Sequence, residues 1–341
     1  MSHSGETVTA LTLVHALSPL HAGTGQGIGA IDLPIAREKA TGIPYLPGSS
    51  LKGVLRDRAQ GEGWDQNTLF AVFGPDTSES SEHAGALQVG DAKLLLLPVR
   101  SLYGVFAHVT SPYLLERFQR EAELSSLQVP ELPGLPQREG VRVAPGSLLV
   151  EGGVVYLEDL DLKAHEDPAL TAWEAWFRER TKAPVKGRLA VVHDDLMAYL
   201  LETATEVVAR IRLDDETKTV ARGALWYEEN LPAESLLYSL MRAERSRRKG
   251  TELAPDGVMA MVKGLLESKT TMAPSRTRME RSTSMVKSTW PGVSMMLMRW
   301  SFQKQVVTAA VMVMPRSRSC SMKSMVAAPS CTSPILWILP V

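Results

Sequence analysis

The chain has too few cysteines for a disulfide framework or a cysteine-rich metal site. Its 341 residues include two, Cys320 and Cys331, and its seven histidines show no ligand spacing. Two cysteines favour a reducing cytoplasm. The longest apolar runs, at 94–97 and 335–339, are far shorter than the ~20 residues of a membrane span, and the start has no secretory pattern. We therefore expect a cytoplasmic protein with no membrane partner.

Acidic residues are almost absent from the last part of the chain. The net charge of the whole chain is −1, yet residues 271–341 contain nine Lys/Arg, one acid (Glu280) and ten of the fifteen methionines. This shift predicts a domain over 1–254 and an atypical Met/Ser/Arg-rich tail over 255–341. An out-of-frame, fused or disordered stretch would explain such a tail, and a basic RNA-binding extension is the alternative.

Short apolar runs alternate with amphipathic segments, which predicts an α+β fold. We expect strands at 8–17, 87–89, 92–99 and 154–157, helices at 46–60, 111–124, 170–180 and 196–201, and a loop over 129–146. Residues 206–229 alternate in polarity on both sides of an acidic tip, which predicts a β-hairpin. Segment 236–248 begins as a strand or helix and ends in a basic cluster.

Glycines occupy alternate positions from 23 to 29, directly after the first strand. Residues 25–30 fit the dinucleotide motif G-x-G-x-x-A, but that motif needs a helix opening on the glycines. Here Asp32 and a proline intervene, and the helix begins near Ser49. A P-loop is excluded because Lys52 is followed by glycine, and no G-x-S-x-G element is present.

The glycine stretch and the next helix suit a polyanion backbone. Glycines permit close approach of another chain, and a helix N-terminus offers unpaired N–H groups to phosphate. Ser49 is a suitable N-cap, and Lys52 and Arg56 lie one turn apart on one face. The alternative is a capped helix with a solvated basic face.

Three ordered blocks over residues 8–240 carry a family resemblance. They read PLHAGTGQGIGAIDLPIAREKATGIPYLPGSSLKGVLR, HAGALQVGDAKLLLLPVRSLYGVFAHVTSP and RIRLDDETKTVARGALWYEENLPAESLLYS. The sequence closely resembles the RAMP-superfamily backbone subunit of the type III-B (Cmr) CRISPR effector complex.

The resemblance implies a modified ferredoxin-like (RRM-like) core with inserted finger and thumb elements. The thumb hairpin matches residues of about 205–224. Partners implied are crRNA, complementary target RNA, copies of the chain in a filament and other Cmr subunits. The resemblance also implies a divalent cofactor, Mg²⁺ or Mn²⁺, for RNA cleavage. The tail departs from the family, whose members end in a glycine-rich loop.

Site residues follow from the matched positions. Asp32 matches the family's catalytic aspartate and is the expected metal ligand, and His21 matches a position near that site. Ser49, Ser50 and Lys52 match the crRNA-contacting helix, and Arg56 joins them by helical spacing. The stretch with Glu228 and Glu229 is expected to approach the site.

The sequence features suggest three different functions. The first is an RNA-guided endoribonuclease subunit that acts within the assembled complex. The second is a purely structural crRNA-binding subunit with an inert Asp32. The third, a small-molecule enzyme that uses the glycine loop, would require a nucleotide pocket and a helix directly after the glycines.

Overall fold

The computed structural model describes residues 7–25, 31–76, 83–213, 220–267, 298–302 and 305–307. These ranges contain both helices and strands, so the predicted α+β class is confirmed. The helices are α1 Gly48–Gly61, α2 Gln66–Phe73, α3 Pro112–Leu124, α4 Ala169–Arg180, α5 Asp194–Thr203 and α6 Pro255–Glu267. The strands are β1 Thr7–Ala16, β2 Tyr45–Leu46, β3 Leu87–Val89, β4 Ala92–Arg100, β5 Phe106–Thr110, β6 Gly140–Val143, β7 Val150–Glu151, β8 Val154–Leu157, β9 Leu160–Glu166, β10 Leu189–Val192, β11 Glu206–Leu213, β12 Val220–Asn230, β13 Leu236–Glu244, β14 Met298–Phe302 and β15 Gln305–Val307.

A mixed sheet connects most of the strands. Its order is β15-β14-β1-β13-β4-β5-β10-β6-β9-β8-β7, with β2 beside β4 and β3 beside β13. Strand β1 is antiparallel to β13, from Thr7 opposite Glu244 to His15 opposite Leu236. Strands β11 and β12 form a separate hairpin, as predicted, and its acidic tip at 214–219 lies outside the described residues.

Both faces of the central strands are buried. Along β1, Ala10 and Val14 belong to one apolar cluster, and Leu11 and Leu13 belong to another. This alternation follows from the two-residue period of a strand. The first cluster includes buried residues of α1, α5 and α6, and the second includes Phe118 of α3 and the aromatic residues of α4. The sequence shows a continuous apolar run in β1 because both faces are covered.

Helix α6 extends the packed part of the chain beyond the boundary predicted at residue 254. Its apolar residues recur at helical spacing, and the side chains of Val258, Val262 and Leu266 are fully buried in the first cluster. The predicted tail over 255–341 therefore begins with a core-packed helix of 13 residues. Most of the remaining tail lies outside the described residues.

Two other segments differ from the sequence-based expectations. The predicted loop over 129–146 contains β6, which pairs with β9 and β10. These partners are distant in sequence, so the proline- and glycine-rich neighbourhood concealed the strand. Segment 236–248 forms β13 over its first nine residues. Of the helices described, none has the length and apolarity needed to cross a bilayer.

Candidate RNA-cleavage site

The end of β12 provides the backbone on which the candidate site is built. Leu33 forms a parallel bridge with Glu228. Its N–H donates to the carbonyl of Tyr227 at 3.0 Å, and its carbonyl accepts from the N–H of Glu229 at 3.0 Å. The segment after the glycine stretch therefore lies along β12 as a short additional strand.

Asp32 is exposed at the start of this segment. Its Oδ2 accepts a hydrogen bond from the Tyr227 N–H at 2.8 Å. Its Oδ1 has no hydrogen-bond partner among the residues that the structure describes. One oxygen thus fixes the carboxylate to β12.

His21 is held by the backbone of Glu229, two residues after Tyr227 on β12. Its Nδ1 lies 2.7 Å from the Glu229 carbonyl, which can only accept, so Nδ1 carries the proton. In the neutral ring, Nε2 then has the free lone pair. Gly23 is required beside it, because a Cβ at that position would overlap the ring at Nε2. The structure thus brings His21 and Asp32 onto the same end of β12.

The Glu229 carboxylate connects the segments around the site. It is 4% exposed. Oε2 accepts from the Ile35 N–H at 3.1 Å, and Oε1 accepts from Arg37 at 2.6 Å and from the Thr205 hydroxyl at 3.0 Å. Glu228 is also buried, and its Oε1 lies 3.4 Å from Arg210 on β11. The stretch that contains both acids lies beside the Asp32 segment, and of the two carboxylates that of Glu229 contacts this segment.

The first turn of α1 holds three of the expected RNA-contacting residues. Ser49 and Ser50 are exposed, and Lys52 is half-buried. Burial lowers the pKa of the Lys52 ammonium, and the neighbouring Arg56 charge lowers that pKa further. A phosphate near Lys52 would stabilise the charged form of this side chain.

The start of α1 differs from the expectation that Ser49 is its N-cap. Pro47 occupies the N-cap position, and the helix begins at Gly48, whose N–H donates to the Asp91 carboxylate at 2.7 Å. Gly48 is needed because a Cβ there would overlap the Val89 carbonyl. An acid therefore already satisfies one of the N–H groups of this helix terminus.

Arg56, expected to contact RNA together with Lys52, is paired within the protein. Its guanidinium donates to the carbonyls of Gly74 and Pro75 and pairs with Asp76 at 2.6 Å. It also lies 5.5 Å from the centre of the Phe70 ring. The side chain of Arg56 thus connects α1 to the end of α2.

The described residues contain no cluster of three or more His, Cys, Asp or Glu side chains able to hold a metal ion. Asp32 alone offers one exposed carboxylate to an ion. This sparse donor set fits Mg²⁺ or Mn²⁺ when phosphate and water oxygens supply the remaining ligands. It does not fit a metal centre built from protein ligands alone.

Sequence reasoning identified Asp32 and His21 but did not identify Arg37, Thr205 or Asp91. The acids Glu228 and Glu229 are adjacent at the end of a largely apolar strand. This pair was the sequence signal that buried charges and their partners would be found there. The Glu229 partners Arg37 and Thr205 are 192 and 24 residues away along the chain, so no local pattern connects them.

Comparisons with known proteins show which family the chain belongs to. A model of the RAMP superfamily matches residues 13–269. The "CRISPR system Cmr endoribonuclease Cmr4" of Pyrococcus furiosus is 39% identical over 259 residues, covering 74% of this chain and 85% of the relative. The "CRISPR system CMR subunit Cmr4" of Saccharolobus solfataricus is 24% identical over 292 residues, covering 74% of this chain and 94% of the relative.

Solved structures show the same fold. A crystal structure of oligomeric Cmr4 from Pyrococcus furiosus has a TM-score of 0.59 at 30% identity, covering 76% of this chain and 90% of that one. A cryo-EM structure of type III-B Cmr-beta bound to cognate target RNA has a TM-score of 0.60 at 17% identity, covering 88% and 98%. The second likeness is one of fold alone.

The chain therefore belongs to the RAMP superfamily. Within it, the identity to the Pyrococcus relative over most of both chains assigns it to the Cmr4 family of type III-B Cmr subunits. The family expected from the three sequence blocks is confirmed, and with it the RAMP-type α+β core.

Proposed function

We propose that this chain is a crRNA-binding backbone subunit of a type III-B Cmr complex and cleaves complementary target RNA by metal-dependent endonucleolysis. One observation carries the proposal. Asp32 is exposed, is oriented by the Tyr227 N–H, and lies on the same strand end that holds His21. The name of the Pyrococcus relative, an endoribonuclease, supports the same activity.

The partners of the proposed subunit are copies of itself, other Cmr subunits, crRNA and target RNA. A 30% identical relative was crystallised as an oligomer, which supports self-association. Ser49, Ser50 and Lys52 would contact the crRNA backbone from the start of α1. Because Arg56 is already paired with Asp76, Lys52 is the stronger candidate for a phosphate contact.

Asp32 and His21 have different tasks in the proposed reaction. Asp32 would hold Mg²⁺ or Mn²⁺, which when bound neutralises negative charge developing on the scissile phosphate. His21 Nε2 accepts the proton of the attacking 2′-hydroxyl as its oxygen bonds to phosphorus. The bond from phosphorus to the 5′ oxygen then breaks, and that oxygen takes a proton from water. The products are a 2′,3′-cyclic phosphate and a 5′-hydroxyl.

A purely structural crRNA-binding subunit is the alternative. It is favoured by the hydrogen bond between Asp32 and Tyr227, because an aspartate that fixes a turn would show the same contact. The lone carboxylate also provides few ligands for an ion. In this alternative, the chain loads RNA normally and cleaves nothing.

Cleavage by the assembled complex separates the two functions. The substrate is an end-labelled RNA complementary to the guide, and a non-complementary RNA is the control. The proposal predicts cleavage with Mg²⁺ or Mn²⁺, none with EDTA, and 2′,3′-cyclic phosphate ends. Bound but intact target in all metal conditions would favour the structural subunit, and 3′-hydroxyl ends would show that water attacks instead.

A further inference from the structure

We infer that Glu229 is a positioning residue, which fixes the Asp32 segment to the base of the β11–β12 hairpin. The inference rests on the proposed function, because it concerns the orientation of the proposed catalytic carboxylate. It goes further by naming a residue that touches neither RNA nor ion and by stating how it acts.

The Glu229 side chain joins β12 to two other segments of the chain. The Ile35 N–H belongs to the strand-like segment that follows Asp32, and its hydrogen bond to Oε2 is 3.1 Å long. Arg37 comes two residues later and pairs with Oε1 at 2.6 Å. Thr205, directly before β11, donates its hydroxyl to the same oxygen. The carboxylate therefore holds the Asp32 segment against the first residues of the hairpin.

The backbone of Glu229 on β12 adds two hydrogen bonds. Its N–H donates to Leu33, the residue next to Asp32, and its carbonyl accepts from His21 Nδ1. Movement of Glu229 would thus displace both proposed catalytic residues together. Arg37 extends the connection by donating to the Leu201 carbonyl at the end of α5.

Asp32 depends on this anchoring because it has little support of its own. Its carboxylate is exposed, and among the described residues it makes one hydrogen bond, to the N–H of Tyr227. The orientation of the carboxylate is therefore set by how its segment lies on β12. A shift of about 1 Å at a reacting group can cost about 100-fold in rate.

Charge determines which substitution is informative. Glu229 is buried and its negative charge is balanced by Arg37, whose side chain is 24% exposed. Glu229→Gln keeps an oxygen for a hydrogen bond but removes the ion pair and introduces an amide N–H₂ group beside Arg37. Thr205→Val removes one contact to Oε1 without changing charge.

Glu38→Gln is the matched control. Glu38 belongs to the same stretch of chain and pairs with Arg117 of α3 through two hydrogen bonds, at 2.5 and 2.9 Å. Arg117 lowers the pKa of the Glu38 carboxyl, as expected for a strong ion pair. This pair anchors the neighbouring turn to α3 rather than to the hairpin, so its loss should destabilise the fold without slowing cleavage.

The experiment uses complexes assembled with crRNA in which every copy carries one substitution. The variants are Glu229→Gln, Thr205→Val, Glu38→Gln and Asp32→Asn. Three quantities are measured: the single-turnover cleavage rate at saturating complex, the affinity for a complementary RNA, and hydrogen–deuterium exchange of residues 31–37 in the subunit.

For Glu229→Gln we expect a cleavage rate lower by about 10- to 100-fold, target affinity within about twofold, and faster exchange in 31–37. Thr205→Val should act in the same direction with a smaller effect. Adding Arg37→Gln to Glu229→Gln removes the unpaired charge and should restore part of the rate.

Wild-type cleavage and exchange in Glu229→Gln would overturn the positioning role. Equal slowing by Glu38→Gln would also overturn it, because the effect would then be general loosening. If the Asp32→Asn complex still cleaves at the wild-type rate, the proposed function fails. The exchange measurement then decides the inference alone: faster exchange in Glu229→Gln supports the anchoring, and unchanged exchange refutes it.

Discussion

Tyr227 and Glu229 lie two positions apart on β12, which places their backbone groups roughly 7 Å apart along the strand. The N–H of the first holds Asp32, and the carbonyl of the second holds His21. Backbone groups of one strand thus set the orientation of both proposed catalytic side chains. Side chains that take part in no chemistry determine how firmly that strand end is fixed.

Reversing the charge of Lys52 tests the proposed guide contact. Lys52→Glu should weaken crRNA binding for every guide sequence, because a phosphate contact carries no base information. The slope of log affinity against log salt should fall by about one unit. Lys39→Glu, at an exposed position outside α1, is the control with the same charge change. Unchanged affinity and slope in Lys52→Glu would reject the contact.

His108 should make stability depend on pH. It is fully buried, its ring lies 3.2 Å from the Glu234 carbonyl, and burial lowers its pKa from 6.5 to about 4. Between these values the unfolded chain binds the proton and the folded chain does not. Stability therefore falls as pH decreases through this window, by roughly 3 kcal/mol in total.

Urea unfolding of the wild type and of His108→Gln between about pH 7 and about pH 4 measures this effect. Glutamine keeps a donor for the Glu234 carbonyl but does not titrate. The difference in unfolding free energy between the two proteins should shrink as pH falls. A constant difference would show that His108 does not remain neutral in the fold.

At the level of elements, the burial of helix α6 predicts where the folded domain ends. Val258, Val262 and Leu266 are completely buried, and each such side chain contributes roughly 1.5–3 kcal/mol. A chain ending at Ala254 should therefore have a much lower free energy of unfolding than a chain ending at Glu267. Thermal unfolding of both chains checks this, and equal melting temperatures would show that α6 is dispensable.

Local patterns in the sequence predicted most elements that have their own periodicity. The β11–β12 hairpin, the proline-started α3 and the aromatic face of α4 were found this way. Several elements were not found, including β5, β9 and β10. Strand β6 was missed because it lies in a stretch rich in proline and glycine, and helix α6 because the composition of the tail suggested a boundary before it.

The candidate site was predictable only in part for the same reason. Asp32 and His21 belong to a short stretch whose glycines and motif are visible in the sequence. The contacts of Glu229 with Ile35 and Arg37 join residues 194 and 192 positions apart. Such contacts depend on how β12 and the glycine stretch meet in the fold, which no local signal encodes.

At the scale of the whole molecule, the proposed site is incomplete in the isolated chain. Among the described residues no cluster of three or more His, Cys, Asp or Glu side chains could hold an ion, so in the proposed reaction RNA phosphates and water would provide most of its ligands. We therefore expect cleavage only where the assembled complex holds a paired target RNA against Asp32. Free RNA mixed with the isolated chain should remain intact.

Substitution of Asp32 by asparagine separates catalysis from structure, because the two side chains have nearly the same shape. The measurement is the single-turnover cleavage rate of a complementary RNA by a complex in which every copy carries Asp32→Asn, with guide loading and target affinity measured in parallel. We expect normal loading and binding and a loss of cleavage of about 100-fold or more, since the proposed ion would lose the Asp32 carboxylate. Cleavage at the wild-type rate with Asp32→Asn in every copy would contradict it.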